Sequence, residues 1–502
     1  MQNREYLQNP LLLIFILGFV SLLLHSPFMK LPPVGTHVFR QAHTMSVARN
    51  FATETVDISK PRVDRRYETN GITGANFPLY EWGLGMLWRI TGISEFVQRS
   101  YSFFWYLIAI SGAVFFFYTV LASTFQRILA SAFFAFSPEI FYHSINALPD
   151  IAALAFATWA LYFFYTARLR NSSQYLFWSA ICFWIMALIK IYFITIVILP
   201  ASFLLLGFIY KQIPLKNFLL YLGISVLLFV SILAWYVYAD YLIQYNGLYE
   251  FGLHTRLTES LGSGLKILSQ NLWSDLPELL LGYPAIVIFV VSIVYFLGNI
   301  RKIYAQSIWF WPLILWLIGT SIVHFFLLEQ MHFHNYYMMP YILPLILFGV
   351  MGVGRISFFS KPLVYILLSV GSILWGSIRI IPARWTPDKY AVSENILDPK
   401  IRQELTQIKT PTGGFSLVGP DYSGCIFFYY FDKKGAIFSD YEQLLEKDSL
   451  GYSYLERMVQ RGAKEVLLQS PPVDILNEIY YQLPGWETVY NKNNWILLQE
   501  GK

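Results

Sequence analysis

The chain has 502 residues, of which 56% are hydrophobic, 18% aromatic and only 13% charged, and its mean hydropathy is +0.48. Soluble globular proteins carry about 25% charged residues, so this composition excludes an ordinary soluble enzyme and indicates a protein built for lipid. The formal net charge is a modest +5, and no nucleic-acid partner is expected.

Apolar runs predict about eleven membrane-spanning helices, because a span needs roughly 20 apolar residues. No small-residue cleavage site follows the first run, which is therefore interpreted as an uncleaved helix and not as a signal peptide. The predicted spans show neither an inverted repeat nor a broken helix. They lie near 10–26, 100–122, 128–145, 150–167, 174–189, 191–209, 217–239, 281–299, 306–328, 336–354 and 361–381.

Basic residues in the short loops predict a cytoplasmic N-terminus, because cytoplasmic loops are enriched in Lys and Arg. The short outer loops between the spans are poor in these residues, with Lys190 as the exception. Eleven spans then place the first loop, residues 27–98, on the outer side together with the loop 240–280 and the C-terminal region. The basic residues of the predicted inner loops are Arg127, Arg168, Arg170, Lys211, Lys216, Arg301, Lys302, Arg355 and Lys361.

From Pro382 onward charged residues become common and the apolar runs shorten to strand length. We predict a transmembrane domain over residues 1–381 and a soluble outer α/β domain over 382–502. Stretches near 401–408 and 441–461 are predicted to be helical. The predicted strands read FSLVGP, CIFFYYF, AIFS, KEVLLQ and NWILLQ.

Polar side chains concentrate in the first loop, beginning with His37, Arg40, Gln41 and His43. A helix over 39–51 would place Arg40 and His43 on one face, where a guanidinium could bind a phosphate. The alternative is an amphipathic helix at the membrane surface whose Arg and His side chains meet lipid headgroups.

The same loop continues with PRVDRRYET, which holds Asp64 beside Arg65 and Arg66. Positive neighbours keep a carboxylate ionised, so Asp64 could take a proton from an acceptor hydroxyl as a general base. The alternative is a solvated loop with local ion pairs. The next segment, NFPLYEW, predicts that Tyr80 and Trp82 anchor the protein at headgroup depth.

Two more polar positions lie on the predicted outer face. Asp150 begins the fourth span and is either a helix N-cap or a carboxylate that contacts substrate. EQMHFHNYYMMP contains His332, His334 and Tyr336, which could donate hydrogen bonds to an anionic group. A zinc site would need a third protein ligand, and no metal or other cofactor is predicted. Cys182 and Cys425 are not expected to pair.

The chain contains no P-loop, no GxGxxG segment and no DxD pair, which argues for a lipid-linked donor and against a soluble nucleotide-activated one. HVFRQAHT, ARNF, PRVD, NFPLY, ALPD and HNYYMMP resemble, in this order, the signature of polytopic GT-C glycosyltransferases. Most similar are the bacterial glycosyltransferase family 39-like proteins, related to protein O-mannosyltransferases and lipid A aminoarabinose transferases. The resemblance covers roughly residues 10–354, and the C-terminal domain matches no family.

This resemblance implies a GT-C fold with its active site outside the cytoplasm, and inverting hexosyl or pentosyl transfer from a polyprenyl-phosphate-linked donor to a glycan, lipid or protein. It also implies an acidic base in the first loop, but His37, His43 and Asn76 stand where relatives carry Asp or Glu. Asp64 is the first candidate for this role and Asp150 the second, with His43 as a further catalytic candidate. The predicted substrate-binding residues are His37, Arg40, Gln41, Arg65, Arg66, His332, His334 and Tyr336.

Two alternatives belong to other classes. One is a transporter or flippase for a lipid-linked glycan, against which the missing repeat and broken helices argue. The other is an inactive relative that only binds a lipid-linked sugar.

Overall fold

The computed structural model describes residues 9–248, 257–271, 276–304, 310–359, 361–385 and 398–501. Contacts divide the chain into two compact units. The helical unit comprises residues 1–29, 99–237 and 253–384, and the mixed unit comprises residues 30–98, 238–252 and 385–502. The contacts therefore group the first loop with the C-terminal region. The predicted boundary, which followed composition, placed that loop in the transmembrane domain.

Sixteen helices precede residue 385 in the described part of the chain. Short 3₁₀ segments cover Ser26–Phe28, Ile191–Val197 and Asn335–Met338, and a π-turn covers Leu276–Leu281. The helices are α1 (Pro10–His25), α2 (Val38–Thr53), α3 (Leu79–Thr91), α4 (Glu95–Val120), α5 (Thr124–Ala135), α6 (Pro138–His143), α7 (Pro149–Arg170), α8 (Ser173–Ile189), α9 (Ile198–Ile209), α10 (Leu215–Asn246), α11 (Leu261–Asn271), α12 (Tyr283–Tyr304), α13 (Phe310–Phe326), α14 (Leu328–Phe333), α15 (Met339–Val353) and α16 (Pro362–Arg384).

Eight helical segments of the described chain are long and apolar enough to cross a membrane, and the apolar helices α8 and α13 are shorter, with 17 residues each. The prediction of a polytopic helical membrane protein with a small α/β domain is confirmed, but the number of eleven spans is not. The most buried spans are Asn335–Val353, at 83%, and Pro149–Arg170, at 72%. Both begin with residues predicted to contact substrate.

The single span predicted over 128–145 is wrong, because α5 ends at Ala135 and α6 begins at Pro138. A proline cannot donate the backbone hydrogen bond that would continue a helix. A second break lies at Lys190, whose backbone is extended (φ −150°, ψ 102°) between α8 and the following 3₁₀ turn. The expectation that no span is broken is therefore wrong. Residues 137–150 are buried in protein, as non-helical backbone in a membrane protein must be.

The C-terminal part of the mixed unit contains a five-stranded sheet of order β2-β1-β3-β5-β4. The first three strands in this order are parallel, whereas β5 is antiparallel to both β3 and β4. Leu417 pairs with Val466, which pairs with Leu498, and all three are buried in the core of the sheet. The elements are α17 (Pro399–Gln407), β1 (Phe415–Gly419), α18 (Ile426–Phe431), β2 (Gly435–Ile437), α19 (Tyr441–Leu445), α20 (Tyr454–Gln460), β3 (Ala463–Gln469), α21 (Val473–Gln482), β4 (Trp486–Lys492) and β5 (Trp495–Glu500).

The prediction of a strand over CIFFYYF is wrong, since this stretch forms α18. Its aromatic residues favour a strand by propensity, but β1 and β2 are parallel neighbours and need a crossover between them. The helical prediction for 441–461 resolves into α19 and α20 with a turn between them, and β4 was not predicted. Tyr80 is buried, which contradicts its predicted role as a headgroup anchor.

Gly435 connects the first loop to the sheet within the mixed unit. Its N–H donates to the carbonyl of Asp64 (2.9 Å), and its own carbonyl accepts from the N–H groups of Arg66 and Tyr67 (3.0 Å each). Its φ is +147°, and a Cβ here would overlap the backbone carbonyl oxygen of Ser416. Glycine is therefore required where the first loop, β1 and β2 meet.

We expect Gly435→Ala to destabilise the mixed unit by on the order of 3 kcal/mol, because the added methyl group pushes β2 away from β1. The measurement is the thermal unfolding midpoint of the full chain in lipid nanodiscs. Gly451→Ala is the control: its φ is also positive (+86°), but no heavy atom lies within 4 Å of the added Cβ. Equal destabilisation by the two variants would contradict a steric requirement at Gly435.

Candidate active site

Asp150 is the centre of a buried polar group in the helical unit. It lies in the first turn of α7, and its side chain is fully buried. Tyr192 donates its phenolic hydrogen to Oδ1 of Asp150, and Nζ of Lys190 lies 3.4 Å from Oδ2. The N-cap of α7 is Leu148, so the interpretation of Asp150 as the helix N-cap is wrong.

The position of Lys190 accounts for the one basic residue that departed from the charge pattern of the short outer loops. The residue is only 1% exposed, and it forms an ion pair with Asp150. It is therefore a buried partner of a carboxylate and not a solvated loop residue. A buried charge needs such a partner to offset its desolvation.

Aromatic and histidine side chains extend this group through the helical unit. The ring of Tyr337 lies 4.3 Å from that of Tyr192, and Tyr336 lies 5.5 Å from His334, all measured between centroids. The edge of His143 meets the ring of Tyr336 at 5.9 Å. His334 and Tyr336 are thus placed together as predicted candidates, whereas the side chain of His332 lies outside the described residues.

His143 forms a second buried pair with Glu139, one helical turn earlier on α6. The distance between Nε2 of His143 and Oε1 of Glu139 is 3.0 Å, and both residues are buried. The sequence analysis missed both, although ionisable residues within a predicted span are themselves a signal of function. The sequence analysis also did not predict Lys190, Tyr192 and Tyr337 as site residues. A sequence signal existed for Lys190, since it was the basic residue that departed from the charge pattern of the short outer loops.

In the mixed unit, Asp64 is buried in an ion-pair network anchored on α2. Its Oδ2 accepts from Arg49 (2.7 Å) and its Oδ1 from Asn50 (2.8 Å), with Nη2 of Arg66 at 3.6 Å from Oδ1. Arg66 also pairs with Glu54 (3.0 Å). The interpretation of this segment as a solvated loop is wrong, because Asp64 is 3% exposed.

Arg49 joins this network to the end of α18. It donates to the carbonyls of Tyr429 (2.9 Å) and Phe428 (3.1 Å), which lie in the last turn of this short helix. Lys434 pairs with Glu54 from the strand side of the same junction. A cation at a helix C-terminus is favourable. The guanidinium of Arg49 therefore stabilises both the carboxylate of Asp64 and the C-terminal end of α18.

The electrostatics of the network favour charged carboxylates. Burial raises the pKa of Asp64, but the charges of Arg49, Arg66 and Lys434 and the hydrogen bond from Asn50 outweigh it and lower the pKa to about 2. The pKa of Glu54 is likewise lowered to about 2, since Arg66 and Lys434 outweigh burial. A carboxylate this acidic, with both oxygens accepting hydrogen bonds, is a weak proton acceptor.

The other first-loop candidates lie at the start of α2. His37 precedes the helix in a left-handed backbone conformation (φ 58°), and Gln41 donates to the carbonyl of Val34 (3.1 Å), which holds this turn. Arg40 and His43 are half-buried. Residues around the whole circumference of α2 are buried, which excludes the alternative of an amphipathic helix lying on a membrane surface.

Arg65 lies close to the loop that follows β1. A Cβ at Gly424 would lie 2.9 Å from Nη1 of Arg65. The start of α2 contacts the same loop, since the carbonyl of Phe39 accepts from the thiol of Cys425 (3.1 Å). In the described part of the chain, no group of three or more His, Cys, Asp or Glu side chains is arranged to hold a metal ion.

The comparisons agree with this architecture. Residues 75–237 match the family model described as dolichyl-phosphate-mannose-protein mannosyltransferase. The fold is similar to that of ArnT from Cupriavidus metallidurans in the apo state, with 13% identity and a TM-score of 0.62 over 99% of this chain and 98% of that chain. No curated protein is significantly similar to the sequence.

Two further structures share the fold. ArnT from the same organism, bound to undecaprenyl phosphate, has 13% identity and a TM-score of 0.57 over 97% of each chain. The archaeal oligosaccharyltransferase AglB from Archaeoglobus fulgidus, in complex with an inhibitory peptide and a dolichol-phosphate, has 12% identity and a TM-score of 0.57 over 91% of this chain and 69% of that one. The chain is an integral membrane protein that shares the fold of these structures.

We expect Asp64→Asn to lower the unfolding midpoint at neutral pH, because it removes the carboxylate nearest to the buried Arg49. Since the pKa of Asp64 is about 2 in the folded state and about 3.9 in unfolded chains, its ionisation contributes on the order of 2 kcal/mol above pH 4. That contribution is lost as the pH falls towards 2. The difference in midpoint between wild type and variant should therefore shrink between pH 4 and pH 3 in thermal unfolding of the nanodisc-bound protein.

The exposed Asp57 of the same loop provides the control, since Asp57→Asn should leave the midpoint nearly unchanged. If Asp64→Asn abolished catalysis while its midpoint matched that of wild type, the structural assignment of Asp64 would be wrong and a role as base would be favoured.

Proposed function

We propose that the protein transfers a sugar from a polyprenyl-phosphate-linked donor to an acceptor outside the cytoplasm, with inversion at the anomeric carbon. The observation that carries the proposal is the buried group of Asp150, Lys190 and Tyr192 in the helical unit. It combines a carboxylate, a cation and a phenol at the start of one of the two most buried spans. The undecaprenyl phosphate and dolichol-phosphate bound by the ArnT and AglB structures support a lipid-linked donor.

In the proposed reaction, the acceptor hydroxyl or amine attacks the anomeric carbon and the bond from that carbon to the phosphate oxygen breaks. The leaving polyprenyl phosphate keeps the electron pair, and Lys190 is suited to stabilise its negative charge. The acceptor loses its proton to a base. In the helical unit, His334 and Tyr336 remain the proposed contacts to the donor.

Asp150 is a better base than Asp64 on geometric grounds. Both carboxylate oxygens of Asp64 accept hydrogen bonds from buried cations or amides. Oδ2 of Asp150 accepts no hydrogen bond from any described residue, and Nζ of Lys190 lies 3.4 Å from it. A base must keep a lone pair for the proton it takes, so we assign that role to Asp150.

We expect Asp150→Asn to lower the transfer rate by at least about a hundredfold, the usual size of a general-base contribution. Purified protein in nanodiscs is incubated with a panel of polyprenyl-phosphate sugars and an acceptor-containing envelope extract, and release of polyprenyl phosphate is followed by mass spectrometry. Asp240→Asn is the control, because Asp240 is exposed and accepts a hydrogen bond from Gln244 one turn away.

Release at wild-type rate from Asp150→Asn would remove Asp150 as the base. Absence of release from every donor with wild-type protein would contradict glycosyl transfer and favour a flippase or a protein that only binds the lipid-linked sugar.

The proposed orientation has a cytoplasmic N-terminus and an extracytoplasmic mixed unit. The first loop and the C-terminal region fold within one unit, so both must lie on the same side of the membrane. The basic inner loops of the sequence favour the outer side for both.

We expect a cysteine introduced at Ser449, which is exposed in the mixed unit, to react with a membrane-impermeant maleimide on intact cells. A cysteine at Gln212, exposed in a basic loop, should react only after the cells are opened. The native Cys182 and Cys425 are buried, so the wild-type chain provides the unlabelled background. The reverse labelling pattern would contradict the proposed orientation.

A further inference from the structure

The loop over residues 420–425 follows the central one of three parallel strands. From β1 the chain passes to β2 on one side, and from β2 it crosses to β3 on the other side. The carboxyl end of β1 is therefore the topological switch point of the parallel part, the position at which open α/β sheets bind ligands. The N–H of Asp421 donates to the carbonyl of Phe438 (2.9 Å), which holds the loop against the end of β2.

Asp421 fixes the shape of this loop from inside. Its carboxylate is buried and accepts hydrogen bonds from the N–H of Ser423 (2.8 Å), from the hydroxyl of Ser423 and from the N–H of Phe427 (3.0 Å). Burial raises the pKa of Asp421, with these hydrogen bonds opposing it. The acidic side chain is thus turned inward and engaged, so it adds little negative charge to the outer surface of the loop.

Tyr422 points outward from this fixed loop and is 79% exposed. An aromatic ring held on a rigid loop binds at low entropic cost, because the loop does not have to be ordered first. The flat face of a tyrosine covers one sugar ring. A protein partner would need roughly 800 Å² of contact on this side, far more than one side chain offers.

Positive charge flanks the same loop. Gly424, at φ +75°, leaves room for the guanidinium of Arg65, which a Cβ would meet at 2.9 Å. Burial raises the pKa of the Cys425 thiol, while the nearby charges of Arg40 and Arg65 act in the opposite direction. Guanidinium groups bind carboxylates and phosphates in a two-point geometry, so an anionic ligand matches this surface.

We propose that Tyr422 and Arg65 form a subsite for an acidic glycan, in which the sugar ring stacks on Tyr422 and the anionic substituent binds Arg65. The proposal rests on the function proposed above and assigns this loop to recognition of the acceptor. Tyr422 is then a specificity-determining residue supplied by the C-terminal region.

The test measures binding without turnover. The full chain in nanodiscs is titrated with trigalacturonic acid, an acidic trisaccharide, and with neutral maltotriose by isothermal calorimetry. We expect the acidic trimer to bind more tightly, with affinity falling as salt rises. Tyr422→Ala should weaken this binding by about tenfold, the size of a lost stacking contact. Arg65→Met should remove the preference for the acidic trimer.

Tyr481→Ala is the matched control, because Tyr481 lies on α21 and is exposed to a similar degree, 82%. This variant should bind like wild type, and the unfolding midpoints of all variants are measured alongside. Equal affinity for the two trimers, equal weakening by the two tyrosine variants, or no binding to wild type would each overturn the subsite.

The release assay on the same preparation keeps the two proposals apart. Donor turnover without glycan binding would retain the enzyme and reject the subsite, whereas binding without turnover would do the reverse.

Discussion

The buried ion pair between Arg49 and Asp64 is the interaction on which the mixed unit depends. Two charges taken out of water are costly, and they are tolerated only when further hydrogen bonds satisfy both groups. Here Asn50 donates a further hydrogen bond to the carboxylate of Asp64, and the guanidinium of Arg49 donates to carbonyls in the last turn of α18. Segments more than 300 residues apart in sequence therefore become parts of one folded unit. Helix α2, which presents Arg40 and His43, is held by that arrangement.

A different constraint shapes the helical unit. Backbone groups without helical partners are expensive in a membrane protein, so helix breaks occur where protein surrounds them. The breaks at 136–148 and at Lys190 meet this condition, since both are buried. Each break brings ionisable side chains into the interior, Glu139 and His143 at the first and Lys190 at the second. The geometry that interrupts the helices thus also supplies the polar group around Asp150.

Much of the fold was predictable from the sequence because it follows from local properties. Apolar runs of adequate length indicated the spans, and short apolar runs between charged segments indicated the sheet. Prediction was wrong where tertiary structure decided: CIFFYYF has strand propensity, yet the parallel pairing of β1 and β2 requires a helix there. The span over 128–145 was wrong for a similar reason, since hydropathy does not register the break before Pro138.

The candidate site was less predictable because its partners come from distant parts of the chain. Asp64 was considered a base on account of its sequence neighbours Arg65 and Arg66, but its shortest contacts are with Arg49 and Asn50 on α2. In the sequence, Lys190 was notable only as a basic residue in a predicted outer loop. Its buried ion pair with Asp150 explains why a lysine lies there. Sequence adjacency shows which charges are present, whereas their pairing depends on packing.

Asp64 and Asp150 differ in what surrounds them. Asp64 has several cationic neighbours and accepts hydrogen bonds on both oxygens, which hold it ionised. Asp150 forms an ion pair with Lys190 at a longer distance, 3.4 Å, and accepts a hydrogen bond from the phenol of Tyr192. When this longer contact opens, the lysine can bind a phosphate and the carboxylate can accept a proton, since less interaction energy has to be given up. The same side chain therefore serves stability in one unit and is suited to chemistry in the other.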